Sequence, residues 1–389
     1  MTTTPLSSID PSNLEVHLLG GSKGESIIIK LPDDQWGVVD CYTDAITEPD
    51  KNPTIQFLRS RGVKTLLFVC LTHAHDDHFL GMVKLIEEFR PAEFWRFGCL
   101  SPPHIVKLLQ YNALRAKEAV GEKKAELSRS TKELYDILKV AENAHKDKSI
   151  RPRPNPLTSL KTLYPLPRDE GKGLKIECLA PSGVQVAKYH EAILECVGPD
   201  EKIAKELKHS DHNEVSVVLK ITYGETVVIL GGDLEKAGWE EVVREYGEAN
   251  LKAVAVKVSH HGSENGYCTD LWKYFTTGGK TIAMIAPQHR HKLPRPAGLD
   301  DISQFASQIV ATCKPKLDWV SKSGLREPQP ESRVILRTHL SAMKLADDTP
   351  CGQCSFKFDN LGNVVELALT EPAVIIHRQE VQSQSASIV

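Results

Sequence analysis

The sequence predicts an α+β protein, and three observations support this class. Short apolar runs separated by turn residues occupy the first hundred residues, which is the pattern of consecutive strands. From about residue 101 to about residue 148, helix-forming residues of mixed charge take over. Strand-type runs return from Leu174 onward. Two strand-rich blocks with a helical block between them indicate a mixed fold.

The composition is that of a soluble globular protein. Hydrophobic residues make up 41% and charged residues 25% of the 389 positions, and no apolar run approaches the roughly 20 residues of a membrane span. The N-terminus has no basic region followed by an apolar segment, so a cytoplasmic protein without a membrane anchor is predicted. The nine cysteines are scattered and odd in number, which agrees with a reducing compartment.

The first block is predicted to be a β meander. Turn residues at positions 20–22 and 32–34 separate three short apolar runs, which are Leu14 to Leu19, Ser26 to Leu31 and Gly37 to Val39. A further run, Thr65 to Leu71, has the length and residue types of a strand buried on both faces. Apolar residues at helical spacing begin at Phe79, so an amphipathic helix is expected to follow this strand.

A dense polar cluster lies between that strand and that helix. It comprises His73, His75, Asp76, Asp77 and His78. Imidazole nitrogens combined with carboxylate oxygens suit zinc and its first-row neighbours. One ion cannot easily use all of them, so His73 and His75 are predicted to face one ion while Asp77 and His78 face a second. The alternative is a solvated loop, or a helix cap made by Asp76 or Asp77.

The spacing His73-x-His75-x-Asp77-His78 resembles the signature loop of the metallo-β-lactamase superfamily. This resemblance implies a four-layer αββα sandwich, two metal ions and, in most members, hydrolysis. It also implies that Asp40, at the end of the third apolar run, braces the metal loop by hydrogen bonds without binding metal. An ordinary turn aspartate is the alternative for Asp40.

Residues 101–170 are predicted to be a helical insertion followed by a proline-rich connection. An apolar stripe indicates helices with a break at Gly121, and it consists of Leu127, Leu134, Ile137, Leu138 and Ala141. Balanced charges favour solvated helix faces over this stripe, and a cap that grasps substrate is the alternative. Five prolines from Ile150 to Arg168 indicate an extended, irregular connection.

A hairpin in the second strand-rich block ends in a further candidate ligand. The runs Val215 to Thr222 and Thr226 to Leu230 are separated by a glycine-bearing turn. Two glycines then precede Asp233, which permits a close backbone approach. In the resembling family an aspartate at this place bridges the two metals. The alternative is that Asp233 caps a helix predicted from Lys236 to Tyr246.

The next predicted strand, Lys252 to Val258, runs into Ser259-His260-His261-Gly262-Ser263. Together with Asn213-x-x-Ser216, this order resembles the soluble metallo-β-lactamase domain of DNA-uptake competence proteins and similar phosphodiesterases. The resemblance implies that one of His260 and His261 completes the second metal, while the other is a second ligand or a donor to substrate oxygen. Asn213 and Ser263 are expected to support the site, and the turn at Gly262 and Ser263 is expected to offer backbone N–H groups to an anionic oxygen.

The chain departs from better-known members of the superfamily in two ways. It has no unmistakable isolated histidine between the first motif and Asp233, so the third imidazole of the first metal is open. His209 and His212 are the candidates by position, with a polar surface loop as the alternative. The family's usual His-x-Gly-Gly is also altered here to His78-Phe79-Leu80-Gly81, and the bulk of Phe79 is expected to narrow the entrance to the site.

A basic loop follows the strand predicted from Thr281 to Ala286. Arg290 and Lys292 would suit a phosphate, and His291 would protonate a leaving alkoxide. A solvated basic loop is the alternative. The net charge of −3 gives no global attraction to nucleic acid, so a nucleic acid or nucleotide is expected to bind through a local basic patch.

The predicted organisation is a core in two halves, residues 1–100 and 171–300, with the 101–170 insertion and a C-terminal extension, residues 301–389. The extension is expected to contain a hairpin around Asn360 and a disordered tail. The sequence leaves the oligomeric state open.

The predicted function is a metal-dependent hydrolase, with a phosphodiesterase or nuclease favoured. Two divalent ions, zinc in the first place and manganese as the alternative, would lower the pKa of a bridging water to roughly 7 and supply hydroxide. The catalytic candidates are Asp77, Asp233, His261 and His291. A carbon-ester, lactone or amide hydrolase is the first alternative, and a non-catalytic metal-binding module is the second.

Overall fold

The computed structural model describes most of the chain. The residues described are 13–97, 129–150, 157–165, 173–200, 202–266, 269–276, 281–316 and 350–378, together with Gly279 and six positions between 107 and 115. No helix within these residues combines the length and the apolar character that a membrane span requires.

Fifteen strands lie in the described residues. In chain order they are β1 (Leu14–Gly20), β2 (Glu25–Lys30), β3 (Trp36–Val39), β4 (Phe68–Leu71), β5 (Glu93–Arg96), β6 (Lys161–Tyr164), β7 (Leu174–Ala180), β8 (Val218–Tyr223), β9 (Thr226–Leu230), β10 (Ala255–Lys257), β11 (Ile282–Ile285), β12 (Gln308–Ala311), β13 (Gly352–Phe358), β14 (Val364–Thr370) and β15 (Val374–Arg378). They form a seven-stranded sheet, β14-β13-β1-β2-β3-β4-β5, and an eight-stranded sheet, β15-β12-β11-β10-β9-β8-β7-β6.

The helices connect these strands. Those found in the described residues are α1 (Pro53–Ser60), α2 (Asp76–Phe79), α3 (Met82–Phe89), α4 (Arg129–Lys146), α5 (Gly183–Glu195), α6 (His209–Asn213), α7 (Lys236–Tyr246), α8 (Thr269–Phe275) and α9 (Pro296–Ser303). Short 3₁₀ turns are found at Pro49–Lys51, Glu248–Leu251, Ser259–Gly262 and His289–His291.

The two sheets face each other, and helices cover their outer faces. Val16 of β1 and Ile221 of β8 belong to the same apolar cluster. On the opposite face of β1, His17 contacts Phe57 of α1, with ring centroids 4.6 Å apart, as expected from the alternation of side chains along a strand. Beyond the second sheet, a separate cluster includes Trp239 of α7 and residues of α8 and α9. The predicted αββα sandwich is therefore confirmed.

Several predicted elements are found with small differences. The hairpin of β8 and β9 pairs Tyr223 with Thr226. β1, β2 and β3 pair antiparallel as predicted, whereas β3 and β4 pair in parallel. The strand predicted from Thr65 is shorter, since β4 begins at Phe68. The helix after the polar cluster is divided, because α2 ends at Phe79 and Gly81 adopts a left-handed φ of 93° before α3.

Two regions that were predicted to lie outside the core contribute strands to the two sheets. The proline-rich connection contains β6, which pairs antiparallel with β7 in the second sheet. The C-terminal region supplies β13 and β14 to the first sheet and β15 to the second, so it completes both sheets. The predicted hairpin around Asn360 is confirmed as β13 and β14. The predicted helix break at Gly121 and the tail after Arg378 lie outside the described residues.

Candidate metal centre

Strand ends from both sheets meet at one edge of the sandwich. β4 of the first sheet leads into the polar cluster, and β9 and β10 of the second sheet lead to Asp233 and His261. The backbone also joins the two sheets here, because the N–H of Val217, just before β8, donates to the Thr72 carbonyl oxygen at 3.0 Å. Side chains that are far apart in sequence are therefore held together by the rigid parts of both sheets.

The first group of candidate ligands is His73, His75 and Asp233. Nε2 of His73 and Nδ1 of His75 face each other at 2.9 Å. Asp233 Oδ2 lies 3.8 Å from His73 Nε2. The three donor atoms lie within 4.8 Å of one another, so one cation between them would contact all three.

The second group of candidate ligands is Asp77, His78 and His261. His261 Nε2 lies 3.2 Å from Asp77 Oδ2 and 3.7 Å from Asp233 Oδ2. His78 Nε2 lies 3.3 Å from Asp233 Oδ1. Asp233 therefore stands between the two groups, with one carboxylate oxygen near His78 and the other near His73.

Oxygen acceptors fix the orientation of the three buried imidazoles. Nδ1 of His78 donates to Asp40 Oδ2 at 2.7 Å, and Nδ1 of His261 donates to the Ala286 carbonyl oxygen at 2.8 Å. Nδ1 of His73 lies 3.0 Å from Thr72 Oγ1, which itself donates to Asp40. A proton held at Nδ1 leaves a lone pair on each Nε2, and each Nε2 points into the cluster.

Asp40 makes the bracing contacts that the family resemblance implies. Its Oδ1 accepts the Thr72 N–H at 2.9 Å, and its Oδ2 accepts both the Thr72 hydroxyl and the His78 ring N–H. The residue is 1% exposed and has a left-handed φ of 59°. Asp40 therefore connects the end of β3 to the polar cluster.

The electrostatics of the cluster favour an added cation. Burial by itself would lower the pKa of His78, but Asp233, Asp77 and Asp40 outweigh burial and raise it well above its ordinary value. Burial by itself would raise the pKa of Asp233, but His78 and His261 hold it well below its ordinary value. Among the buried side-chain atoms of the described residues that lack a hydrogen-bond partner are His78 Nε2, His261 Nε2 and Asp233 Oδ1 of these ligand groups. These donors fit a divalent metal.

The helix-cap alternatives do not hold. Glu235, and not Asp233, occupies the cap position of α7. His75, and not Asp76 or Asp77, occupies the cap position of α2, without a capping hydrogen bond from its side chain.

The two glycines before Asp233 are required by close packing. Gly232 has a φ of 52°, and a Cβ there would lie 2.5 Å from Ser216 Oγ. A Cβ on Gly231 would lie 2.2 Å from Ser259 Oγ. Ser216 Oγ in turn accepts the Asp233 N–H at 2.9 Å. The close backbone approach expected from the two glycines is therefore present. It fixes the backbone position of Asp233, from which the carboxylate extends.

Of the two neighbouring histidines, the structure brings only His261 into the ligand groups found among the described residues. Both have left-handed φ angles, 48° for His260 and 52° for His261. The His260 ring lies beside Glu235, Asn213 and Ser263, whose Oγ is 2.9 Å from Nδ1. The sequence left His260 and His261 open between a ligand of the second metal and a donor to substrate oxygen. His260 lines the cleft beside the residues expected to support the site.

The turn at Gly262 and Ser263 was predicted to offer backbone N–H groups to an anion. The Ser263 N–H instead donates to the His260 carbonyl oxygen at 2.9 Å, so it is occupied within the turn.

His212 lies beside the first ligand group. Its ring centroid is 5.2 Å from that of His75, and its Nδ1 lies 2.5 Å from the hydroxyl oxygen of Tyr189. The segment is the short helix α6 and not the surface loop considered from the sequence. The side chain of His209 is outside the described residues.

A cleft of about 1090 Å³ opens above the cluster. Asp77 and Asp233 lie at its floor, and Arg290 and His291 of the predicted basic loop lie on its wall. Lys292, predicted with them as a substrate-binding residue, is exposed and does not line the cleft. It ends the 3₁₀ turn His289–His291 in a left-handed conformation.

Sequence reasoning missed a buried pair, Glu25 and Lys257. They are 1% and 0% exposed, and Lys257 Nζ lies 2.5 Å from Glu25 Oε1. The available signal was a lysine inside an apolar strand, Ala253 to Val258, because lysine is almost never fully buried without a partner. Gln288 was missed as well, and its side-chain amide donates to Asp77 Oδ2.

Residues 19–96 match the model of the metallo-beta-lactamase superfamily. The search of curated proteins gave no match. Similar solved structures include MEM-A1, a subclass B3 metallo-beta-lactamase from a soil metagenome library, at 12% identity and a TM-score of 0.31, covering 66% of this chain and 79% of that one.

Two further structures differ in their described chemistry. A diphosphatase of the PhnP family is 10% identical with a TM-score of 0.32, and the match covers 74% of this chain and 93% of that one. Zinc-bound PqqB from Methylobacterium extorquens is 14% identical with a TM-score of 0.30, and the match covers 62% and 71%. These values are too low for an inference about activity. The match at residues 19–96 is similarity to the metallo-beta-lactamase superfamily over that segment, and the two-sheet sandwich is consistent with the fold of that superfamily.

Proposed function

We propose that the protein is a metal-dependent hydrolase that cleaves a phosphodiester in nucleic acid or in a nucleotide, cyclic nucleotides included. The observation that carries this proposal is the pair of ligand groups with Asp233 between them. His73, His75 and Asp233 would hold one divalent ion, and Asp77, His78 and His261 would hold the other. Zinc is the expected metal, because imidazole nitrogens predominate in the donor set.

When bound, such ions supply Lewis acidity and activate a water for attack. The chain itself supplies the orientation of the ligands. Asp40 and the Ala286 carbonyl oxygen keep a proton on Nδ1 of His78 and His261, so that both rings present Nε2 to the cluster. We propose His291, which lies on the cleft wall, as the group that gives a proton to the leaving alkoxide.

The cations of the cleft support a phosphodiester substrate. Four basic residues line it, namely Lys23, Arg115, Arg290 and Arg295. Lys23 pairs with Asp44 at 2.8 Å and Arg115 with Glu206 at 2.6 Å. Within the described part of the chain, Arg290 and Arg295 form no salt bridge with a carboxylate. These two guanidinium groups are therefore the proposed ligands of phosphoryl oxygens.

The substrate panel tests the class of reaction. Purified protein would be analysed for metal content and then assayed with bis-p-nitrophenyl phosphate, nitrocefin and a lactone. We expect two equivalents of metal and turnover of the phosphodiester alone. Turnover confined to nitrocefin or the lactone would overturn the phosphodiester assignment and favour the carbon-ester or amide alternative. Stoichiometric metal without turnover of any substrate would favour a non-catalytic metal-binding module.

Two substitutions test whether the arginines that line the cleft bind the substrate. Arg290→Ala and Arg295→Ala should each raise KM for the phosphodiester by roughly tenfold, as expected for loss of a charge-assisted hydrogen bond. Lys292→Ala is the matched control, because it removes the same charge from the same loop outside the cleft. Equal effects of Arg290→Ala and Lys292→Ala would show that general charge, and not contact in the cleft, attracts the substrate.

A further inference from the structure

A buried ion pair connects the two sheets directly behind the candidate metal centre. Glu25 belongs to β2 of the first sheet and Lys257 to β10 of the second. Their charged groups are 2.5 Å apart, and neither side chain reaches solvent. Lys257 Nζ also donates to the Gly232 carbonyl oxygen at 2.9 Å, which places it beneath the turn that carries Asp233.

Glu25 also forms a third group of possible ligands with His78 and Asp233, but it lies on the side of His78 Nδ1, which already donates to Asp40. The pair contacts three of the candidate ligands. Lys257 Nζ lies 3.6 Å from Asp233 Oδ1. Glu25 Oε2 lies 3.4 Å from His261 Nδ1, and Glu25 Oε1 lies 3.8 Å from His78 Nδ1. A single carboxylate thus faces the rear nitrogens of two imidazoles, while a single ammonium faces the carboxylate between the two ligand groups.

Burial makes these charges effective at the cluster. Interactions between charges are strong where water is excluded, and salt screens them less than it screens exposed pairs. A buried ion pair is also weak evidence of added stability, because desolvation of both groups offsets their attraction. An ion pair at this position therefore acts on the ligands in front of it as well as on the packing of the sheets.

We propose that Glu25 and Lys257 are positioning residues that set the affinity of the cluster for divalent cations, and that they act in opposite directions. The Glu25 carboxylate raises the affinity, since it adds negative charge behind His78 and His261. The Lys257 ammonium lowers the affinity, since it offsets the charge of Asp233, and so keeps the bound ions exchangeable. This inference rests on the proposed metal binding and adds the two residues that adjust it.

The test is a cycle of four proteins: wild type, Glu25→Gln, Lys257→Gln and the double variant. Glutamine keeps the shape of Glu25 and removes its charge. At position 257 it removes the charge and keeps a hydrogen-bond donor, on a side chain one atom shorter than lysine. The dissociation constant for zinc would be measured for metal-free protein by competition with a chromophoric chelator. We expect Glu25→Gln to weaken zinc binding and Lys257→Gln to tighten it, each by about tenfold or more, with the double variant between them.

The cycle measures the direction of each charge's effect on the zinc dissociation constant twice. Removing the Glu25 charge should weaken binding in both the wild-type and the Lys257→Gln backgrounds, so loss of one variant to misfolding leaves a comparison intact. Lys30→Gln is the matched control, because Lys30 is also a buried lysine, 2% exposed, and its carboxylate partners are Glu15 and Asp34. It should leave the zinc dissociation constant unchanged.

The outcomes separate this inference from the proposed function. If wild type binds no zinc, the proposed function fails. If wild type binds zinc and both single variants weaken binding, the pair has only a structural role and the inference is overturned. Thermal unfolding of the four metal-free proteins supplies the reference, since a structural role lowers the unfolding temperature together with the affinity.

Discussion

Asp233 is the single residue on which both ligand groups depend. It is 2% exposed, and its two carboxylate oxygens approach His78 and His73 from opposite groups. Since Glu235, and not Asp233, occupies the N-cap position of α7, capping gives no reason for an aspartate at position 233. Its charge is therefore available for metal binding, and a change that removes only the charge isolates that role.

Asp233→Asn should lower turnover by roughly a hundredfold or more, comparable to loss of a positioned electrostatic group, while at least one metal remains bound. The amide keeps the shape and one oxygen donor but cannot neutralise repulsion between two dications. The checks are turnover at saturating zinc and manganese, and metal content of the same sample. Near-normal turnover would refute a bridging role and weaken the two-metal assignment.

His78 and His261 predict how the metal-free protein responds to pH. Both pKa values are raised in the folded state, where burial is outweighed by Asp233 and neighbouring carboxylates. A raised pKa contributes stability below the unfolded value, about 6.5, and this contribution is lost as pH rises through the folded value. The unfolding temperature of chelator-treated protein should therefore fall from about pH 6.5 towards higher pH, and zinc should restore it.

A pair of histidine variants tests which group makes the unfolding temperature fall as pH rises. His78→Gln should reduce this fall in the metal-free protein. His17→Gln is the control, because burial lowers the pKa of His17 in the folded state. Its contribution to stability therefore rises with pH towards the unfolded value of about 6.5 and is level above it, so His17 cannot cause a fall. An unchanged slope in His78→Gln would show that another group is responsible.

Among the elements, the turn between β9 and α7 determines where Asp233 is placed. Gly232 combines a left-handed φ of 52° with a Cβ position 2.5 Å from Ser216 Oγ. Ser216 itself accepts the Asp233 N–H and lies 3.4 Å from His73 Nδ1. A side chain at this glycine would therefore disturb both the turn and its contact with the first ligand group.

Gly232→Ala should destabilise the protein by about 2–4 kcal/mol, from the left-handed φ and from overpacking against Ser216. Gly62→Ala is the matched control, since Gly62 has a φ of 71° but open space around it, and should cost only about 1–2 kcal/mol. Denaturant unfolding compares the two. Equal costs would show that the contact with Ser216 relaxes without penalty.

For the molecule as a whole, the C-terminal strands close both sheets. β13 pairs with β1 over seven residues, and β15 pairs with β12. Cys354, Phe356 and Phe358 of β13 are each at most 1% exposed. Because β1 lies between β2 and β13, removal of β13 would expose an interior strand of the sandwich.

A chain that ends at residue 349 should fail to unfold cooperatively. Burial of each large apolar side chain contributes about 1.5–3 kcal/mol, and the lost set is large beside a total stability of roughly 5–15 kcal/mol. A chain that ends at Arg378 keeps every described strand and should unfold near the temperature of the full chain. Calorimetry of both shortened chains would show whether each unfolds in a cooperative transition, and at what temperature. A cooperative transition in the shorter chain would show that the extension is a separate addition.

The sequence by itself determined the positions from which ligands come. Polar residues directly after apolar runs marked the ends of core strands. Together with the family resemblance they pointed to His73, His75, Asp77, His78 and Asp233, which the structure places in groups that could hold a metal. Local periodicity and turn residues also gave the hairpin of β8 and β9 and the helix Lys236–Tyr246. These features depend on neighbours in the chain, and so the sequence reports them.

Only the tertiary structure decided which side chains converge. It selected His261 over His260, because the direction of a side chain in a left-handed turn depends on the packing around it. It brought Glu25 of the first sheet into contact with Lys257 of the second. It also placed β13 in the first sheet and β15 in the second. Spacing along a chain fixes local conformation, whereas contacts across a sandwich depend on strand pairing between distant segments, which no local pattern specifies.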